Sequence, residues 1–209
     1  MAPEAVVHVV DDDLAVRQSL SFLLASEGLP VRLHESATAF LESAVNGNAG
    51  CIVTDVRMPG LDGIAFLQEL KRRGSTLPVI VMTGHADVPL AIAAMKAGAV
   101  DFLEKPFDDD VFLAAVRTAL DRNAEEARRA AEANVLNERL AALSERERQV
   151  LDGLVDGKPN KVIAYELGIS PRTVEIYRAN VMAKMQATSL SQLVRMVLVG
   201  EGAGEKRAI

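Results

Sequence analysis

The first 120 residues alternate short apolar runs with amphipathic stretches five times, and few chain folds satisfy that rhythm. The runs are Ala5 to Val10, Val31 to His34, Cys51 to Thr54, Val79 to Met82 and Asp101 to Leu103. Helical periodicity fills the intervals, about Leu14 to Glu27, Ala37 to Asn46, Gly63 to Arg73, Val88 to Ala97 and Asp108 to Arg122. Gly28, Gly74 and Gly98 stand where helix C-caps are expected. Repeated βα alternation implies a parallel sheet with helices on both faces. In such a sheet every strand ends on one edge, and ligands of open α/β folds bind there.

The residues at that edge carry chemistry. The first run leads into Asp11, Asp12 and Asp13, the third into Asp55, the fourth into Thr83, and the fifth through Glu104 into Lys105-Pro106. A carboxylate accepts a phosphoryl group only where both negative charges are offset, and adjacent acids achieve this by holding a divalent cation. Mg²⁺ suits an all-oxygen site of carboxylates, a backbone carbonyl and waters. The expected ligands are Asp12 and Asp55 directly, Asp11 through water, and the backbone carbonyl of Arg57. Lys105 would neutralise phosphoryl charge, Thr83 would donate a hydrogen bond, and Asp55 would be the nucleophile. Asp13 reads more simply as the cap of the helix that begins at Leu14. His8, His34 and His85 have no His or Cys partner at metal-ligand spacing and receive no role, and Cys51 reads as a small buried hydrophobe.

Beyond residue 122 the pattern changes. The stretch 123–142 is rich in Ala, Glu and Arg without Gly or Pro, which favours an exposed or self-pairing linker helix. Residues 143–200 then read as four short helices. Ser144 caps the first, with Glu147 at the capping-box position and Val150, Leu151, Leu154 and Val155 as its buried stripe. Asn160 to Leu167, a turn at Gly168, and Pro171 to Met185 form helix, tight turn, helix. Ser170 is the N-cap and Pro171 the first residue of the second of these. The last helix spans Ser189 to Val199, and 201–209 reads as a flexible tail.

Charge separates the two parts. Residues 1–122 hold 17 acids against 10 bases, a charge of −7, and the remainder holds 12 against 13, a charge of +1. An acidic front half is a poor nucleic-acid partner, whereas six bases and two acids lie between Lys158 and Arg195. Val174, Val181 and Met185 form the buried stripe of the second helix, with Tyr177 beside it. Its exposed face holds Arg172, Glu175, Ile176 and Ala179, residues that a recognition helix would set against base edges in the major groove. Arg178, Asn180 and Lys184 flank that face, and Lys158 and Lys161 suit phosphates. No apolar run approaches the ~18 residues of a membrane span. With no secretory start and one cysteine, the cytoplasm is the expected location and no membrane partner is expected.

The runs Val9-Val10-Asp11-Asp12, Thr54-Asp55-Val56-Arg57-Met58-Pro59-Gly60, Met82-Thr83-Gly84 and Glu104-Lys105-Pro106-Phe107 resemble the receiver domain of two-component response regulators. That resemblance implies a flavodoxin-like (βα)5 domain over 1–122, phosphorylation of Asp55 by a sensor histidine kinase, Mg²⁺ dependence, Phe102 as the aromatic partner of the Thr83 switch, and a cis Lys105-Pro106 peptide. Residues 144–199 resemble the LuxR-type helix-turn-helix domain, with Thr173 in its motif and Tyr177 where many members carry His. The runs from Thr83 to Phe107 and from Arg178 to Lys184 are similar to the FixJ branch. Membership implies a FixL-like kinase, double-stranded promoter DNA, RNA polymerase, a homodimer on phosphorylation, and activation of nitrogen-fixation or microaerobic genes. The receiver dimer is expected to use Ile92 to Gly98 and Asp101 to Leu103. A resting contact of the receiver with the DNA-binding domain would hide the recognition helix. No enzyme is expected. A haloacid-dehalogenase-like phosphatase would carry a second Asp where Arg57 stands, and a regulator indifferent to phosphorylation is the other alternative.

Overall fold

The computed structural model describes residues 5–43, 49–85 and 88–205, with side chains through 198. The chain divides into two compact units, Met1–Arg128 and Arg129–Ile209. The first contains β1 (Val6–Val10), α1 (Leu14–Ser26), β2 (Val31–His34), α2 (Ala37–Glu42), β3 (Gly50–Asp55), α3 (Gly63–Arg72), β4 (Val79–Thr83), α4 (Val88–Ala97) and β5 (Asp101–Glu104). α5 (Asp109–Ala141) begins there and continues past the division. The second unit adds α6 (Glu145–Val155), α7 (Asn160–Leu167), α8 (Pro171–Met185) and α9 (Leu190–Glu205).

All strands pair in parallel in the order β2-β1-β3-β4-β5. The order reverses between β1 and β3, which sets their two C-terminal ends side by side. Alternation along the strands divides the side chains between two cores. Val7, Val9, Cys51, Val53, Ile80 and Met82 pack with Phe112 and Val116 of α5. Val10, Ile52, Val79 and Val81 pack on the other face with Phe40, Phe66 and Leu67. Strands buried on both faces read as continuous Val/Ile runs, which is why their positions were legible.

Local capping fixes the helices that reach the sheet edge. Asp13 accepts the Ala15 N–H at 2.7 Å and caps α1, and Asp62 accepts the Ala65 N–H at 2.8 Å and caps α3. Gly63 opens α3 where any Cβ would collide with the Asp55 carbonyl oxygen, so only glycine lets the helix start this close to β3. α2 ends at Glu42 rather than Asn46; residues 44–48 lie outside the described residues.

Three expectations for the later chain change. Asn123, read as the first linker residue, is buried, and its Oδ1 accepts the Gly50 N–H at 2.9 Å at the start of β3. The end of α5 is not wholly exposed either: Leu136, and Leu143 just past the helix, are buried with Val150, Leu151, Val174, Val181 and Met185 in one core. Propensity carried the helix through this stretch, while the apolar residues that dock its end are too few to give a visible stripe. α9 also runs to Glu205 rather than Val199. Isolated glycines each weaken a helix by only about 1 kcal/mol, less than is needed to end it outright. Residues 206–209 of the expected tail lie outside the described residues.

Replacing Asn123 with alanine orphans the buried Gly50 N–H and should cost about 1–3 kcal/mol. Chemical denaturation of the full chain reads this as a lower midpoint for the first unit. An unchanged midpoint would show that water satisfies the amide.

Candidate functional site

β1 ends in register with β3, since Val10 pairs with Thr54, so Asp11 and Asp55 follow on adjacent strands. Asp11 and Asp55 are both buried. Such carboxylates need partners, because burial without compensation strongly disfavours charge. Lys105, one residue past β5, supplies it: its Nζ lies 2.7 Å from Asp11 Oδ2 and 2.7 Å from Asp55 Oδ1. Burial works against the ammonium charge, but the hydrogen bonds to Asp11 and Asp55 outweigh it and raise the Lys105 pKa above its ordinary value.

The remaining carboxylate oxygens accept backbone N–H groups. Asp13 N–H donates to Asp11 Oδ1 at 2.9 Å, and Arg57 N–H donates to Asp55 Oδ2 at 2.6 Å. The turn after β3 therefore folds back onto Asp55. Lys105-Pro106 is a cis peptide. Thr83 ends β4 fully buried, and its hydroxyl donates to the His85 carbonyl and accepts the His85 N–H, both at 3.3 Å. Phe102, partly buried, packs against the core that holds Phe66 and Val81.

Two acids thus converge on one cation. That donor set fits a divalent ion, because both carboxylates already point oxygen atoms at a single positive centre. Asp12 is exposed and does not join them. Among the described residues no group of three His, Cys, Asp or Glu side chains is gathered for a metal. In this conformation the lysine stands where the charges meet.

Arg17 belongs to this edge although its sequence gave no signal for it. Its Nη1 donates to the Asp11 carbonyl at 2.6 Å, which holds the acidic loop against α1. His34 contributes through its backbone, its carbonyl accepting the Asp11 N–H at 3.2 Å. Its ring lies 3.1 Å from His8 (Nδ1 to Nε2), and Phe40 packs edge-on against both. Burial, then the neighbouring His34 and Arg32, lower the His8 pKa to about 4.

In the second unit the capping box at Ser144 and Glu147 is complete. Lys184, expected near DNA, instead donates to Glu147 Oε2 at 2.6 Å and to the Ala142 carbonyl at 3.1 Å. The Lys184 hydrogen bond, then the Ser144 N–H, lower the Glu147 pKa to about 2. Lys158 is also engaged, 3.0 Å from Glu166 and 3.4 Å from Asp156. Arg172, Glu175, Ile176, Ala179 and Asn180 are exposed on α8, while Thr173 and Arg178 are half-buried. Lys158, Lys161, Asn160, Pro171, Glu175 and Arg178 line one open groove. The Thr173 N–H and hydroxyl both bond to the Ser170 hydroxyl at the helix start.

Residues 7–117 match the family described as response regulator receiver domain, and residues 141–197 match the luxR family of bacterial regulatory proteins. The chain belongs to the two-component response regulators, with a receiver followed by a LuxR-type DNA-binding domain. It is a FixJ-like transcription regulator. It is 62% identical over 198 residues to the transcriptional regulatory protein FixJ of Azorhizobium caulinodans, covering 94% of each chain. Against FixJ of Rhizobium meliloti the identity is 53%, covering 93% of this chain and 95% of that one. Among solved structures, full-length FixJ from B. japonicum is 52% identical with a TM-score of 0.60, covering 95% of this chain and 98% of that one. The response regulator StyR is 40% identical with a TM-score of 0.85, covering 93% and 98%.

The histidine pair makes a pH prediction. His8 in the folded chain has a depressed pKa, so below about 6.5 the unfolded chain takes up the proton first. Stability should fall as pH drops from about 6.5 towards 4, and this contribution should level off below 4. Proton resonances of the imidazoles followed through that range test it: a His8 midpoint near 6.5 would contradict the buried neutral pair.

Proposed function

We propose that phosphorylation of Asp55 by a sensor histidine kinase controls how this regulator occupies promoter DNA. The observation that carries this reading is the convergence of Asp11 and Asp55 on Lys105, 2.7 Å from each. One Asp55 oxygen meets that movable cation and the other is held by the Arg57 N–H. The nucleophile is oriented before any phosphodonor arrives, and Lys105 is within reach of the incoming negative charge. Asp11, Asp12, Asp55 and the Arg57 carbonyl would hold Mg²⁺, which when bound offsets charge between carboxylate and phosphoryl group. Thr83 then turns its hydroxyl from His85 to the phosphoryl oxygens, and Phe102 follows into the space vacated.

The output is dimerisation and DNA binding. Ile92 and Met95 of α4 are about half exposed, at 48% and 50%, and give the expected α4–β5 face apolar surface to bury. Joining two DNA-binding domains raises their effective affinity for a two-part site. On α8, Arg172, Glu175, Ile176, Ala179 and Asn180 would face the bases, with Thr173 and Arg178, and Lys161 of α7, towards the phosphates. We place Lys158 and Lys184 outside the direct contacts, since their ammonium groups already serve carboxylates. By likeness to FixJ, the input is a FixL-like kinase and the output is activation, with RNA polymerase, of nitrogen-fixation or microaerobic genes in the cytoplasm.

Treatment with acetyl phosphate and MgCl₂ should yield an aspartyl phosphate and a shift from monomer to dimer in sedimentation. Asp55→Asn and chelation of magnesium should each abolish both. A phosphorylated Asp55→Asn protein, or an unchanged wild-type monomer after verified phosphorylation, would contradict the reading.

A further inference from the structure

The C-terminus of α8 is held by a residue that lies outside the helix-turn-helix. Arg139, half-buried near the end of α5, donates through Nη1 to the Met185 carbonyl at 3.2 Å and through Nη2 to Gln186 Oε1 at 2.5 Å. Gln186 caps α8 in the left-handed conformation, at φ 53° and ψ 37°, the only non-glycine residue with positive φ among those described. The exchange is mutual. Lys184 of α8 donates to the Ala142 carbonyl just past α5, and Arg148 donates to the Leu140 carbonyl at 2.7 Å. Helix C-termini carry unsatisfied carbonyls and a partial negative charge, and each helix here draws a cation from outside itself.

We propose that Arg139 is a positioning residue for base recognition, setting the pitch of α8 through its C-terminal cap. The inference rests on the reading that α8 is the helix that meets DNA. Val174, Val181 and Met185 bury one stripe of α8. Apolar burial is non-directional and tolerates small rotations about that stripe. A planar guanidinium bonded at two points does not. Beside the bonds of Lys184 to Glu147 and the Ala142 carbonyl, Arg139 thus adds an angular restraint that the stripe lacks, at the end of the helix where a small tilt moves the base-reading N-terminal half farthest.

The test uses the full chain and two duplexes: one enriched from a random pool by the wild-type protein, and a scrambled version. Arg139→Ala should weaken binding to the enriched duplex about tenfold, within the range of one lost base contact. Binding to scrambled DNA, and the slope of affinity against salt, should not change. Gln186→Asn keeps the left-handed cap but shortens the reach, and should give a smaller loss of the same kind. Circular dichroism at the assay temperature confirms that each variant is folded. Equal losses on both duplexes with a shallower salt slope would make Arg139 a phosphate contact and overturn the proposal. Unchanged discrimination in either variant would overturn it as well. Failure of the wild-type protein to enrich any duplex would instead refute the DNA-binding reading on which it rests.

Discussion

Two buried carboxylates on adjacent strands are tolerable only with a cation between them, and the receiver half of this molecule is arranged around that requirement. Asp11 and Asp55 lie at the point where the sheet order reverses, and Lys105 arrives from the far edge of β5 to meet both. The supporting structure brings these three groups to one place. Gly63 lets α3 begin against the Asp55 backbone, Arg17 and Asp13 fasten the loop after β1, and the turn at Arg57 returns an amide to Asp55. Removing the lysine would leave like charges facing each other in a region that water barely reaches.

Much of this was legible in the sequence because parallel strands write themselves as short apolar runs, and the chemistry stands where the runs stop. Asp11, Asp55 and Lys105, which the fold brings together, were placed on that edge in this way. Asp12 was placed in the same cluster, but a position one residue past Asp11 turns its side chain to solvent, and the resting geometry leaves it there. Arg17 escaped notice because a basic residue in the first turns of a helix is ordinary, and its bond to the Asp11 carbonyl depends on how the preceding loop folds. Capping signals read well: Asp13, Ser144 and Ser170 act within a few residues and need no tertiary context.

The second unit shows the opposite limit. A stripe of basic residues between Lys158 and Arg195 reads as a surface for DNA, yet sequence cannot tell a free cation from a committed one. Lys184 serves Glu147 and the end of α5, and Lys158 serves two acids, whereas Lys161 and Arg172 have no ion pair among the described residues. The core also reaches back beyond the motif. Leu136 of α5, and Leu143 just past it, are buried with Val174 and Met185, so the core beneath the helix-turn-helix extends beyond the motif itself.

Thr83, the proposed switch residue, rests in a lightly held position. Its hydroxyl holds both polar groups of His85 at 3.3 Å, the long end of hydrogen bonding, while the side chain itself is fully enclosed. Such bonds satisfy a buried hydroxyl without gripping it. On the proposed reading, a phosphoryl oxygen would have only these two long bonds to compete with for the hydroxyl. If Thr83 switches as proposed, both its sensitivity and its quiet resting state would follow from the length of two hydrogen bonds.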